Sequence, residues 1–380
     1  MGLQIVPQLY FCEPEIAGRD KYLGGDIDEA TGSIYCVPGS ALRVLKVMPV
    51  GDAACVAYIG LSDLPGKFKW LRSCKAYDSS TQTHQIYGIP SCASSVLRID
   101  PSRDHVSTFG DLGHEKWKWH GGVTAQIDGN IYAIPCNHPQ VLKIIPATDE
   151  VIFLGRPDGT RQKWYGGIEA ENGCIYGIPN CSDRVLKIDP ASGEVSTFGV
   201  LSQAPYKWHG GVRGLDGCIY AIPSHADRVL RIDPRTDTAE LMGDSILPGM
   251  YRPQGKYKYG GAVVGVNGSI YCFPSDADQV LKIDPMAERV YAIGPRFYHH
   301  NKWQNGYLAS DDCIYAIPCN MPSVLQIDCT NDHVTTLRLP DAYKQGFDKW
   351  EGGVVDPRGC LWCMPQNSKR VMKIEPRSRL

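Results

Sequence analysis

Lys207–Gly243 reads KWHGGVRGLDGCIYAIPSHADRVLRIDPRTDTAELMG. A lysine and an aromatic open the stretch; two glycines, a turn, IYAIP, a short polar gap, VLRIDP and an apolar run follow. The same order is written eight times between Lys21 and Pro376. Its clearest mark falls at Ile34–Pro38, Ile86–Pro90, Ile131–Pro135, Ile175–Pro179, Ile219–Pro223, Ile270–Pro274, Ile314–Pro318 and Leu361–Pro365. These prolines stand 44 to 52 residues apart. A period of this size, built from short strands, is the signature of a β-propeller.

Each unit holds four strand candidates. The first follows the glycine pair, as in Gly121–Ile127; the second is the IYxIP run, rich in aromatic and β-branched residues. The VLxID run is the third and the apolar run after it, such as Val195–Phe198, the fourth. Asp128-Gly129, Asn172-Gly173, Asp216-Gly217 and Asn267-Gly268 predict type I′ turns between the first two. Extra residues at Asp78–Gln85 and Leu247–Tyr257 read as loop insertions. No segment shows helical periodicity over three turns.

The last unit has three strands, Gly353–Asp356, Leu361–Met364 and Val371–Glu375, and no fourth. A spare apolar run, Leu3–Tyr10, precedes the first unit. We expect that run to supply the missing strand, because closure removes open sheet edges. The expectation is therefore an all-β, eight-bladed propeller of four-stranded blades in a single domain, 1–380.

A net charge of −2 gives no basic field for nucleic acid or anionic lipid. The start, MGLQIVPQLYFCEPE, lacks the basic and apolar regions of a signal peptide, and no run is long enough to span a membrane. Fifteen cysteines, an odd number spread over strands and turns, read as reduced thiols and a cytoplasmic location. Cys360 and Cys363 form a lone C-x-x-C, which without a second pair is a weak zinc signal.

G-x-I-Y-x-I-P followed by V-L-x-I-D-P resembles the repeat of propellers related to streptogramin lyase, NHL and SMP-30 lactonase proteins. The resemblance implies the propeller. It also implies, for the lyases, a His/Glu constellation with a divalent metal on seven-bladed rings, and no motif here matches that constellation residue by residue.

The lysine and aromatic recur in all eight units, at Lys21-Tyr22, Lys69-Trp70, Lys118-Trp119, Lys163-Trp164, Lys207-Trp208, Lys258-Tyr259, Lys302-Trp303 and Lys349-Trp350. One reading is a cation ring around an opening, which makes Lys118, Lys163, Lys207 and Lys302, with Trp119, Trp164, Trp208 and Trp303, ligand or partner contacts. The other is an aromatic wedged between blades under a lysine stem whose amine meets carbonyls. Glycine pairs suit close approach of inner strands.

Less regular residues share that face. His120 and His209 follow two of the tryptophans, and Glu169 lies on the inner strand between them; these are the catalytic candidates. His138 and His225, in the polar gaps, are the metal candidates, although such gaps favour polar residues anyway. Tyr251 and Arg252, in the long loop, are partner-binding candidates. The preferred reading is a non-enzymatic platform for a protein or small anionic ligand on the face carrying these loops, with no cofactor. The alternative is a metal-dependent lyase or lactonase using the His/Glu cluster and a divalent cation.

Overall fold

In the computed structural model, 6–51, 53–60, 63–157 and 159–377 are described. The strands group into eight four-stranded antiparallel sheets, one per repeat, and form an eight-bladed β-propeller. In seven blades the strands pair in sequence order. The eighth combines Trp350–Val355, Leu361–Pro365 and Met372–Glu375 with the N-terminal strand Gln8–Phe11. Gln8 pairs with Glu375 and Phe11 with Met372, so the expected closure holds. Leu3, Gln4 and Ile5 of the expected closing run lie outside the described residues.

Contacts gather the chain into two compact units: Val37–Val44 with Ile59–Ile246, and the remainder. The first carries blades 2 to 5, and the second blades 6 to 8 with most of blade 1.

Alternating apolar residues of the second and third strands fill the spaces between neighbouring blades. Tyr87, Ile89 and Val96 of blade 2 share one core cluster with Trp119, Ile131 and Leu142 of blade 3. Tyr176, Ile178 and Val185 meet Trp208, Ile219 and Leu230 in the same way. Trp119, Trp164, Trp208, Trp303 and Trp350 are thus wedges driven into the preceding blade.

Several strand expectations need adjustment. Inner strands begin at the aromatic rather than after the glycines, as in Trp119–Thr124. Trp119 pairs with Pro135, and the register then shifts so that Gly122 faces Ala133. The same bulge recurs at Trp164/Gly167 and Trp208/Gly211. The hairpin turns are not type I′, which needs positive φ at both central residues. In the four predicted turns only the glycine has it, as at Gly129 (φ 68°) and Gly173 (φ 76°). The extra residues of blade 2 extend its hairpin ladder to Asp78↔Thr83 instead of forming a loop. Among the described residues the one helix is a single turn, Asp341–Lys344.

The glycine pair serves close approach, as expected. A Cβ on Gly352 would lie 2.3 Å from the Leu23 carbonyl oxygen.

Candidate functional site

The eight lysines are 0–3% exposed. Their amines bond to backbone carbonyls. Lys207 Nζ donates to the carbonyls of Ser182 and Ala204, both at 2.9 Å, and of Asn180 at 3.3 Å. Lys118 Nζ reaches the carbonyls of Ala93 (2.7 Å) and Glu115 (2.9 Å). Lys163 reaches Cys136 and His138, and Lys302 reaches Ser275 and His299. Lys118, Lys207 and Lys302 each tie their own loop, at Glu115, Ala204 and His299, to the polar gap of the blade before, at Ala93, Ser182 and Ser275. Burial lowers the amines of Lys21, Lys69, Lys302 and Lys349 to about 8, so they stay charged at neutral pH.

The tryptophans are equally engaged. The indole N–H of Trp119, Trp164, Trp208 and Trp303 donates, at 2.9 Å in each case, to the carbonyl of Gln140, Arg184, Arg228 and Ser323. All four rings are 0–2% exposed. Lys118, Lys163, Lys207 and Lys302 with Trp119, Trp164, Trp208 and Trp303 are therefore a repeated buried clamp rather than a surface ring of cations. The physical reason is satisfaction of a buried charge: of the three ammonium N–H groups, two or three are spent on backbone carbonyls.

The clamp shapes the residue in front of it. Asp20, Phe68, Trp117, Gln162, Tyr206, Tyr257, Asn301 and Asp348 each precede a lysine, and each has φ between 45° and 59°. None is glycine, and their side chains vary around a constant frame. Trp117 and Tyr206 are each 36% exposed and Tyr257 is 45% exposed. Phe68 and Trp117 lie ring to ring at 5.2 Å. Asn301 Nδ2 donates to Asp348 Oδ1 at 2.5 Å. In the sequence this position is marked only by its variability next to an invariant lysine.

In the second unit the inserted loop carries a further exposed ring. Tyr251 is 52% exposed and stacks on His300 at 4.7 Å, with His299 4.9 Å beyond. Arg252 forms an ion pair with Asp276 and lies 5.0 Å over the Tyr257 ring. The Met250 N–H donates to the Asp278 carboxylate at 3.0 Å. Loop residues 250 and 252 are thus tied to the polar gap of blade 6, while Tyr251 points outward.

In the blade 2–5 unit the bulge places His120, Tyr165 and His209 on three successive inner strands. The His120 and Tyr165 rings stack at 3.5 Å and the Tyr165 and His209 rings at 3.9 Å. Burial first, then the charges of Arg72 and His209, pushes the His120 imidazole well below its ordinary value. A histidine lowered on folding makes the fold lose stability as pH falls below the unfolded value near 6.5. We expect His120→Leu, carrying the residue of Leu23 and Leu71 at the same position, to flatten the decline in stability between about pH 6.5 and 4.5. Urea denaturation across that range checks it; an unchanged pH slope would remove the stack's influence.

The other histidines and the glutamate do not join this stack. His138 packs on Trp119 (4.4 Å) and Phe153 (5.1 Å). His225 meets Tyr206 edge-on at 5.3 Å. Glu169 closes the far end of its strand, where Oε1 accepts the Gln126 N–H at 2.8 Å. Tyr165 stands between the two imidazoles, and among the described residues no group of three or more His, Cys, Asp or Glu is placed to hold a metal ion. Cys360 and Cys363 are buried.

No protein-family model matches the chain, and no curated protein matches its sequence. Solved structures do. The chain is similar to a streptogramin B lyase at 12% identity and TM-score 0.61, over 98% of each chain. It is also similar to the extracellular domain of a putative one-component system from B. thetaiotaomicron, at 11% identity, TM-score 0.53, over 93% of this chain and 52% of that one. An auxiliary nutrient-binding protein from Bacteroides ovatus matches at 15% identity and TM-score 0.50, over 94% and 76%. The chain thus has a streptogramin lyase-like β-propeller fold. At these identities the likeness shows the fold alone, and no helix among the described residues is long and apolar enough to cross a membrane.

Proposed function

We propose that this propeller is a non-enzymatic binding platform, which seats a protein partner on the face carrying the lysine–tryptophan loops. One observation carries the reading. Trp117, Tyr206 and Tyr257 occupy left-handed backbone, which costs a non-glycine residue about 1 kcal/mol. Asparagine or glycine would relieve much of that strain. The rings pack only in part, on Phe68, His225 and Arg252, and stand 36–45% exposed. Each ring keeps more than a third of its surface open to solvent, and exposed aromatic anchors are what a partner grips. Tyr251, held outward by the tethers of its loop, extends the same logic.

A lyase or lactonase reading draws support only from the fold likeness. His120 and His209 are separated by a tyrosine ring, and Glu169 is engaged elsewhere.

The test is the triple variant Trp117→Asn, Tyr206→Asn, Tyr257→Asn. It is expected to keep or raise the thermal midpoint, because asparagine suits left-handed backbone. It is also expected to lose the partner that the unaltered protein recovers from cells. A partner recovered equally well by the folded triple variant would move the interface off this face.

A further inference from the structure

In the second unit the left-handed tips run Tyr257, Asn301, Asp348 and Asp20 in blade order. A residue of each polar gap ties two of them together. The Asp276 N–H donates to the Tyr257 carbonyl (3.0 Å), and Asp276 Oδ1 accepts the Asn301 N–H (2.6 Å). Asn320 links Asn301 to Asp348 in the same way, at 3.1 and 2.8 Å. Asn367 links Asp348 to Asp20, at 3.0 and 2.8 Å. The amides of Asn320 and Asn367 also hold the residue before each tip, donating to the carbonyls of His300 (3.3 Å) and Phe347 (3.1 Å). A rim tied in this manner is preorganised, so a partner that meets it has little left to order.

Rings and a carboxylate meet on this rim. His300 and Phe347 share one position, two residues before the lysine, and their rings lie 5.7 Å apart. Tyr251, from the inserted loop, stacks on His300 at 4.7 Å. Phe347 is 61% and Tyr251 52% exposed. Beside Phe347, Asp348 Oδ1 accepts the Asn301 amide. Among the described residues no lysine or arginine forms an ion pair with Asp348. The Lys349 amine donates to the Met321 carbonyl instead (2.9 Å). Burial first, then the Asp20 carboxylate of the next tip, raises the Asp348 carboxyl.

Two blades back, the chain shows what fits such a pairing. Arg252 forms an ion pair with Asp276, and its guanidinium lies 5.0 Å over the Tyr257 ring. At Phe347 and Asp348 the ring and the carboxylate recur without a cation between them.

We propose that Tyr251, His300, Phe347 and Asp348 form a slot for a guanidinium, and that the partner seated on this face presents an arginine to it. The planar cation stacks on the exposed rings, and its paired N–H groups meet the Asp348 carboxylate. Asp20 adds a second negative charge at the next tip. The slot rests on the partner-binding reading of this face and names the chemistry that the partner carries.

N-acetyl-arginine amide is the probe, titrated against the full chain at pH 7 and followed by NMR of the His300 ring. The citrulline analogue keeps the shape without the charge, and the lysine analogue keeps the charge without the plane. The arginine amide is expected to bind with a Kd of about 1–10 mM, and both analogues at least about fivefold more weakly. Asp348→Asn is expected to fold, since Asn301 fills the same left-handed position one blade earlier, and to weaken arginine binding at least about fivefold. Phe347→Ala, which removes an exposed ring, should weaken it as well. No shift of the His300 ring at about 50 mM arginine amide overturns the slot. So does equal binding by the citrulline analogue, or by the Asp348→Asn chain; equal binding by the lysine analogue overturns the assignment to arginine. The platform fails separately, when the folded asparagine triple variant keeps its partner, and the amide titration then still decides the slot.

Discussion

A chain beginning at Gly18 is expected to unfold at a thermal midpoint about 5–10 °C lower than the full chain and to self-associate. The strand Gln8–Phe11 makes four register pairs with Met372–Glu375. Beyond it, the Cys12 and Ile16 N–H groups donate to the carbonyls of Val371 (2.9 Å) and Lys369 (2.6 Å). Phe11 stacks on Tyr343 at 3.9 Å and lies 6.0 Å from Trp350. Arg370 pairs with Glu13, and Lys369 Nζ lies 3.3 Å from Glu15. Phe11 is partly buried and worth up to about 1.5–3 kcal/mol, and each ladder hydrogen bond about 1 kcal/mol, so the loss amounts to about 5 kcal/mol. The exposed ions add little. The deletion also bares the edge of Met372–Glu375, a template for another chain. Calorimetry and size-exclusion chromatography read the two effects. A peptide of residues 1–17 added in trans should restore the midpoint by strand addition. A truncated chain that is monomeric with an unchanged midpoint would mean the N-terminal strand contributes nothing to the fold.

How far the sequence spoke depends on whether a feature is periodic. The blade count, the strand order and the closing strand follow from the repeat and from the missing strand after Glu375. A pattern written eight times also advertises what packing needs, and there the sequence pointed two ways. Lys118 and Trp119 look like surface chemistry on paper, and only the carbonyls of Ala93 and Gln140 show why every blade has them. The informative residues sit one place to either side of the repeated pair. Trp117 and Tyr206 precede it; His120, Tyr165 and His209 follow it. Their exposure and stacking come from a left-handed turn and a bulge, and neither is visible in composition or spacing. Glu169 illustrates the converse: it shares the inner strands with the histidines, yet strand length carries it to the opposite end.

Lys207→Met should lower stability by about 2–4 kcal/mol while leaving the fold recognisable. Methionine keeps most of the apolar stem beside Trp208 but removes the Nζ donor from the carbonyls of Ser182 and Ala204, while Asn180 keeps the Lys207 backbone N–H. Hydrogen bonds to a charged group are worth about 1.5–3 kcal/mol each, and release of the buried charge offsets part of the loss. The clamp also holds the turn in which Tyr206 has φ 57°. Tyr206→Asn should therefore stabilise the intact protein slightly, and its benefit should change once Lys207 no longer fixes the turn. A double-mutant cycle over positions 206 and 207, followed by urea denaturation, measures that coupling. A clamp predicts a large single effect at 207 and a non-zero coupling. A lysine retained for a surface ligand predicts neither, because a solvent-facing amine can be exchanged for methionine within about 0.5 kcal/mol. Lys163 and Lys302, bonded in the same manner, should repeat the result, whereas a ligand site would single out one blade.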